Sequence, residues 1–284
     1  MTLINYLLLI IATLVGLSIG SFINVIVYRL PLMLQAMYES EYLEFANQSL
    51  TPLPQSKPQK FNLCFPHSHC PNCKNNIPWW LNIPLLSFIL LRGHCQKCKK
   101  PISWRYPITE AICSIVTVYL VMRYGINWQT LIILLFTWIL LALISMDIAC
   151  YLLPDQITLN LLWAGLLVNI STYHLISPED AIIGAIVGYL SLWLIAKTFQ
   201  LLRGYTGMGH GDFKLFAALG AWLGWQPLPL TLSLACLTGV TFGVTMILWK
   251  KQTLEQPIPF GPHLALAGWV MLLWGHYLTK FFAF

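Results

Sequence analysis

Two aspartates carry the chemistry to be expected of this chain. Asp212 lies in Gly207-Met208-Gly209-His210-Gly211-Asp212-Phe213-Lys214, among three glycines where an apolar segment begins, and Asp147 closes another apolar segment at Ser145-Met146-Asp147. A charged side chain in bilayer hydrocarbon costs at least about 2.5 kcal/mol, so an acid embedded in apolar sequence points to function. The glycines allow positive φ and close approach of the backbone to a substrate, and the turn delivers Asp212 to a helix N-terminus. For Asp212 alone the plain reading is a helix cap, since aspartate is a preferred N-cap. Asp147 has no such reading, because the macrodipole opposes a negative charge at a helix C-terminus. Two carboxyls at about 3 Å cannot both ionise, so one proton is shared: one group activates water and the other protonates a carbonyl oxygen. That is the chemistry of aspartyl proteolysis, and no H-E-x-x-H pattern offers a rival.

The elements that must position these acids are membrane helices. Charged residues make up 9% of the 284 positions and hydrophobic residues 57%, against about 25% charged in a soluble domain. Apolar runs that approach or span a core of about 30 Å occupy 3–28, 107–123, 128–146, 156–173, 181–199, 213–225, 230–249 and 259–282. The fold class is therefore an all-α polytopic membrane protein with about eight transmembrane helices. The first run lacks the basic start and cleavage site of a signal peptide and stays as an anchor. With the first loop cytoplasmic, fourteen of the sixteen Lys and Arg fall inside and only Arg123 and Lys280 outside. This bias sets both termini outside and brings Asp147 and Asp212 to the same cytoplasmic face. It also accounts for most of the net charge of +6, which by itself gives no argument for nucleic acid.

The first polar loop holds a second candidate site. Cys70-Pro-Asn-Cys73 and Cys95-Gln-Lys-Cys98 make a C-x2-C, x21, C-x2-C pattern, the paired hairpins that ligate a tetrahedral zinc ion. Four thiolates leave no open position, so such a site is structural. A reducing cytoplasmic loop disfavours the alternative of two disulfides. His67, His69 and His94 are read as bystanders, and Cys113, Cys150 and Cys236 as packing residues. The chain divides into a first transmembrane helix (1–30), a loop domain with the four cysteines (31–105) and a transmembrane core (106–284). Within the loop, Pro31 opens an amphipathic helix over 31–46, and 48–60, with three prolines, is a linker. The apolar stretch 77–91 cannot span, since Cys73 and Cys95 must share one side of the membrane. It is either the core of the small domain or a surface resting on the membrane, where Trp79 and Trp80 suit the interface. Glu110 and Asp155 open helices, where capping is an ordinary use of an acid; Glu110 is equally a candidate for function.

Taken together, Gly20-Ser21-Phe22-Ile23-Asn24-Val25 with Arg29-Leu30-Pro31, the four loop cysteines, Tyr106-Pro107 with Glu110, Asp147 with Leu153-Pro154-Asp155, Gly209-His210-Gly211-Asp212 and Pro259-Phe260-Gly261-Pro262 resemble one family over nearly the whole chain. It is that of the bacterial type IV prepilin peptidases, leader peptidase/N-methyltransferases that share the GxGD motif with presenilin-like proteases. The resemblance implies that Asp147 and Asp212 are the catalytic pair. It also implies cleavage of the short basic leader of prepilins and type II secretion pseudopilins at the cytoplasmic face of the bacterial inner membrane. S-adenosylmethionine then methylates the new N-terminus, and by the same resemblance its site is sought in the loop with Gly93 and at Glu110. No G-x-G after a strand gives an independent sign of that cofactor. Apart from substrate and membrane lipid no partner is implied, and nucleic acid is not one. Two other classes fit parts of the pattern. A transporter uses intramembrane acids to move ions, and a zinc ribbon on a membrane anchor is a binding module.

Overall fold

The computed structural model describes residues 3–47, 62–70, 72–205, 207–249 and 258–282. The linker expected over 48–60, and Lys250, Lys251 and Pro257, lie outside the described residues. All the regular structure described is helical, and the chain forms two compact units that meet in sequence after Gly125.

In the first unit, helix α1 (Leu3–Asn47) continues through Pro31, where the sequence predicts a new helix to begin. A proline inside a helix forfeits one backbone hydrogen bond and strains the turn before it, yet the helix persists here. Its 45 residues make a rod of about 68 Å, more than twice the hydrocarbon thickness. Short elements follow: a 3-10 turn at Trp79–Asn82 and helix α2 (Leu86–Leu90). Helix α3 (Arg105–Tyr124) then packs on α1. Contact is close because α1 presents glycine: a Cβ at Gly16 would lie 2.5 Å from Ser114 Cα, and one at Gly20 2.7 Å from Glu110 Cα. The small-residue spacing is thus a packing device, as such spacing commonly is in membranes. Asn24 Nδ2 donates to the Tyr106 carbonyl at 3.1 Å and adds a polar tie. The buried Arg29 guanidinium holds the chain at 62–66 against α1, donating to the carbonyls of Asn62 (2.9 Å), Leu63 (3.2 Å) and Pro66 (2.5 Å).

The second unit comprises α4 (Trp128–Cys150), α5 (Asp155–Ile170), α6 (Pro178–Arg203), α7 (His210–Leu223), α8 (Leu228–Leu248) and α9 (Gly261–Phe282). Every residue from Leu215 to Leu223 is buried, so α7 is the axis of this unit, in keeping with a helix that is apolar all round. Its 14 residues reach only about 21 Å, short for a span, but its neighbours are protein helices. The α6 and α7 backbones touch. A Cβ on Gly184 or Gly220 would overlap the other's carbonyl, and one on Gly188 would lie 2.6 Å from Phe216 O. At the far end of α7, Trp222 Nε1 donates to Leu161 O at 2.9 Å and Asn169 Nδ2 to Ala221 O at 2.9 Å. The Asn169 carbonyl accepts from the N–H groups of Leu175 and Ile176. These bonds fix the depth of α7, and with it the position of Asp212 at its other end.

All eight apolar runs are helical. Among the described residues, five helices are long and apolar enough to cross a membrane: Tyr6–Tyr42 within α1, and α3, α4, α6 and α8.

Candidate active site and metal centre

Asp147 lies on the last turn of α4, which ends where Tyr151 adopts a left-handed conformation (φ 53°, ψ 37°) and donates its N–H to the Asp147 carbonyl at 2.9 Å. Its side chain faces inward and is 6% exposed. Asp212 is the third residue of α7, after Gly209 at the N-cap, and is 8% exposed. The two carboxyls lie close enough for their charges to interact directly.

Each carboxyl receives one backbone N–H from a glycine at a helix start. Gly209 donates to Asp212, as in the reciprocal half of a capping box. The plain reading of Asp212 as a cap is therefore part of the geometry, but a cap alone needs neither burial nor a second acid beside it. Gly261, the first residue of α9, donates to Asp147. A Cβ at Gly261 would fall 2.6 Å from Asp147 Oδ2 and 3.0 Å from Leu153 Cδ1, so only glycine permits this approach. Leu153 also backs the other acid's turn: its Cβ lies 2.7 Å from where a Cβ at Gly211 would be. The sequence marks Gly261 and Leu153 only as members of the motifs that carry the family resemblance. The one signal was a glycine between prolines before an apolar run.

Asp155 opens α5 and pairs with Lys214 at 2.5 Å, the two groups half-exposed and partly buried respectively. This bridge ties α5 to the start of α7, two residues after Asp212. Glu110 is no helix cap, since α3 begins at Arg105. It is 8% exposed and accepts the Leu85 N–H at 2.9 Å, with Ser21 and Asn24 also hydrogen-bonding to it. Leu85 has φ +58° and ψ −47°, strained backbone for a side-chain-bearing residue.

The four cysteines converge. Their sulfurs all lie within 4.8 Å of one another, and Cys70 Sγ and Cys98 Sγ are 3.8 Å apart, with all four thiols free. A zinc–sulfur distance of about 2.3 Å gives tetrahedron edges of about 3.8 Å, so the cluster fits a metal ion of that size. The two hairpins repeat one design. Lys74 donates its N–H to Cys70 O at 2.9 Å and Lys99 to Cys95 O at 3.0 Å, both lysines at positive φ. The Lys100 backbone N–H holds the Cys98 thiol down to about 6 against desolvation, with Asn72 assisting. The N–H groups of Cys73 and Asn72 likewise lower Cys70. Donors aimed at sulfur favour thiolate, the form that binds metal. His69 and His94 turn their Nδ1 atoms to the carbonyls of His67 and Arg92 and stand outside the cluster. Gly93 (φ +70°) makes the turn into the second hairpin, with Phe88 3.1 Å from where its Cβ would lie.

The family model of the bacterial peptidase A24 N-terminal domain matches residues 14–124, and that of the type IV leader peptidase family matches 134–244. The two matches flank the division after Gly125. A prepilin leader peptidase/N-methyltransferase of Stutzerimonas stutzeri is 47% identical over 268 residues, 94% of this chain and 91% of the relative. One of Aeromonas salmonicida is 46% identical over 267 residues (94% and 91%), and one of Pseudomonas aeruginosa is 44% identical over 267 residues (94% and 90%). No solved structure matches the chain. With relatives this similar along nearly its whole length, the chain belongs to the type IV leader peptidase family.

Proposed function

We propose that this protein cleaves the leader from type IV prepilins and type II secretion pseudopilins and N-methylates the new N-terminus, with Asp147 and Asp212 as the catalytic pair. The observation that carries the assignment of the pair is two buried carboxyls near enough for their charges to interact, each steadied by a glycine N–H. Charge development on the scissile carbonyl is then met by a fixed acid rather than by water. With one proton between them, the ionised carboxyl takes a proton from the attacking water and the other protonates the carbonyl oxygen.

Cys70, Cys73, Cys95 and Cys98 would hold zinc as a structural ion. S-adenosylmethionine, when bound, supplies the methyl group, and we assign its site to the first unit. Gly93 and Glu110 would act there by holding the hairpin turn and the Leu85 segment in place. The charge bias of the loops supports eight spans with the active site facing the cytoplasm of an inner-membrane protein. Fusions at Asn62 and Gly204 should then report cytoplasm, and fusions at Ser177 and Pro227 the outside.

The test is purified full-length protein with a synthetic prepilin-type peptide, read by mass. Asp147→Asn and Asp212→Asn should each abolish cleavage without unfolding. Asp212→Asn should still methylate a peptide supplied already trimmed. Cleavage by that variant at near wild-type rate would reduce Asp212 to a cap, and loss of both activities in a folded variant would mean one site does both.

A further inference from the structure

The first unit carries an apolar ledge that is the wrong way out for water. In α2, Leu86, Ile89 and Leu90 are 56%, 68% and 73% exposed, while Ser87 and Phe88 are partly covered. These positions are spaced i, i+3, i+4, so the apolar stripe of the helix faces outward. Trp80, Ile83 and Trp104 are also exposed, at 55%, 41% and 69%, and Trp104 packs edge-on against Phe88 with 4.9 Å between ring centroids. The stretch is not the core of the small domain.

Its depth is set by a hydrogen bond. The Leu85 N–H is held by Glu110, and Glu110 is five residues inside α3, a helix apolar enough to cross a membrane. Counted from Arg105, where the basic flank of that helix ends, this is about 7.5 Å along the axis. The ledge is thus pinned beside the first turns of a membrane helix, not above them. Its charges agree. Residues 62–105 hold Lys74, Arg92, Lys97, Lys99, Lys100 and Arg105 and not one Asp or Glu. All six basic residues are exposed. Among the described residues, Lys97 and Lys100 bond to the neutral amides of Asn75 and Asn72 and pair with no acid. An apolar strip with tryptophans and uncompensated basic residues is the composition of a surface that lies in the boundary between headgroups and acyl chains.

We infer that the four-cysteine unit is seated in the membrane surface, with Leu86, Ile89, Leu90 and Trp104 at the acyl boundary and its lysines and arginines against anionic headgroups. The unit is monotopic at the ledge and does not span there. Glu110 is the tether that holds it at that depth. None of this depends on the peptidase assignment.

The test uses the full-length protein in nanodiscs of phosphatidylcholine with 30% phosphatidylglycerol. Spin labels are placed at Ile89→Cys and Leu90→Cys in a chain whose Cys64, Cys113, Cys150 and Cys236 are alanine. The reference label sits on the native, exposed Cys64 of a separate chain in which only Cys113, Cys150 and Cys236 are alanine. At 89 and 90, relaxation by oxygen should exceed relaxation by an aqueous nickel complex severalfold relative to Cys64, and the ratio should fall in discs of phosphatidylcholine alone. Nickel accessibility equal to that at Cys64 would overturn the proposal, and so would dipolar broadening showing that a second copy covers the ledge. A ratio unchanged by lipid charge would overturn the headgroup contact. In the native chain, peptide 83–92 should exchange its amide hydrogens severalfold more slowly in the anionic discs than in neutral ones; equal exchange counts against the proposal.

Discussion

A buried carboxyl with one hydrogen-bond donor is only as well aimed as that donor. Asp147 depends on the Gly261 N–H, and the place where a side chain would begin at 261 is already filled by Asp147 Oδ2 and Leu153. Gly261→Ala should leave the protein folded and lower kcat for a prepilin peptide by about 10²-fold, the scale of an ångström's misplacement at a reacting centre. A variant within twofold of wild type would mean that Asp147 is aimed by something else. The Asp155–Lys214 bridge works less hard, since it is partly solvated. Asp155→Asn should change stability by less than about 1 kcal/mol, read from thermal unfolding in detergent. The two aspartates were legible in the sequence because an acid in apolar sequence is costly and so stands out. Gly261 was not, because a backbone N–H is common to nearly every residue and a glycine announces room without saying for what.

Helices meet here where side chains are missing. Gly184 and Gly220 let α6 and α7 come to backbone contact, and Gly16 and Gly20 do the same for α1 and α3. Gly184→Val should therefore overpack the seam and cost about 1–3 kcal/mol, seen as a lowered thermal midpoint, with cleavage falling in proportion as α7 shifts and carries Asp212 with it. Each of the eight long apolar runs became a helix, as runs of that length do in a bilayer. The breaks were harder to read. Pro31 marks a boundary by its local chemistry, yet α1 passes through it, because neighbouring turns and packing outweigh one lost bond. From sequence Glu110 is equally a helix cap and a functional acid, and its partner, the strained Leu85 N–H, lies 25 residues away in sequence, beyond any local rule.

At the scale of the whole molecule, the chain sorts its chemistry into two compact units, one with both aspartates and one with all four clustered cysteines. Purified protein should carry about one zinc per chain. Stripping it with a chelator should speed amide exchange over 62–104 while exchange in α4 to α9 stays unchanged, since folding of such small sites is coupled to their metal. Cys98→Ser should lose the ion without added chelator. Full protection of 62–104 in metal-free protein would show that the hairpins stand without it. The seam between α6 and α7 has a consequence of another kind. Where two backbones touch there is no side chain left to vary, so every single substitution at Gly184 or Gly220 adds atoms to occupied space. Lineages of this protein should therefore hold those two positions fixed, and their divergence should collect instead on outward positions such as Leu194 and Leu201, which are largely exposed.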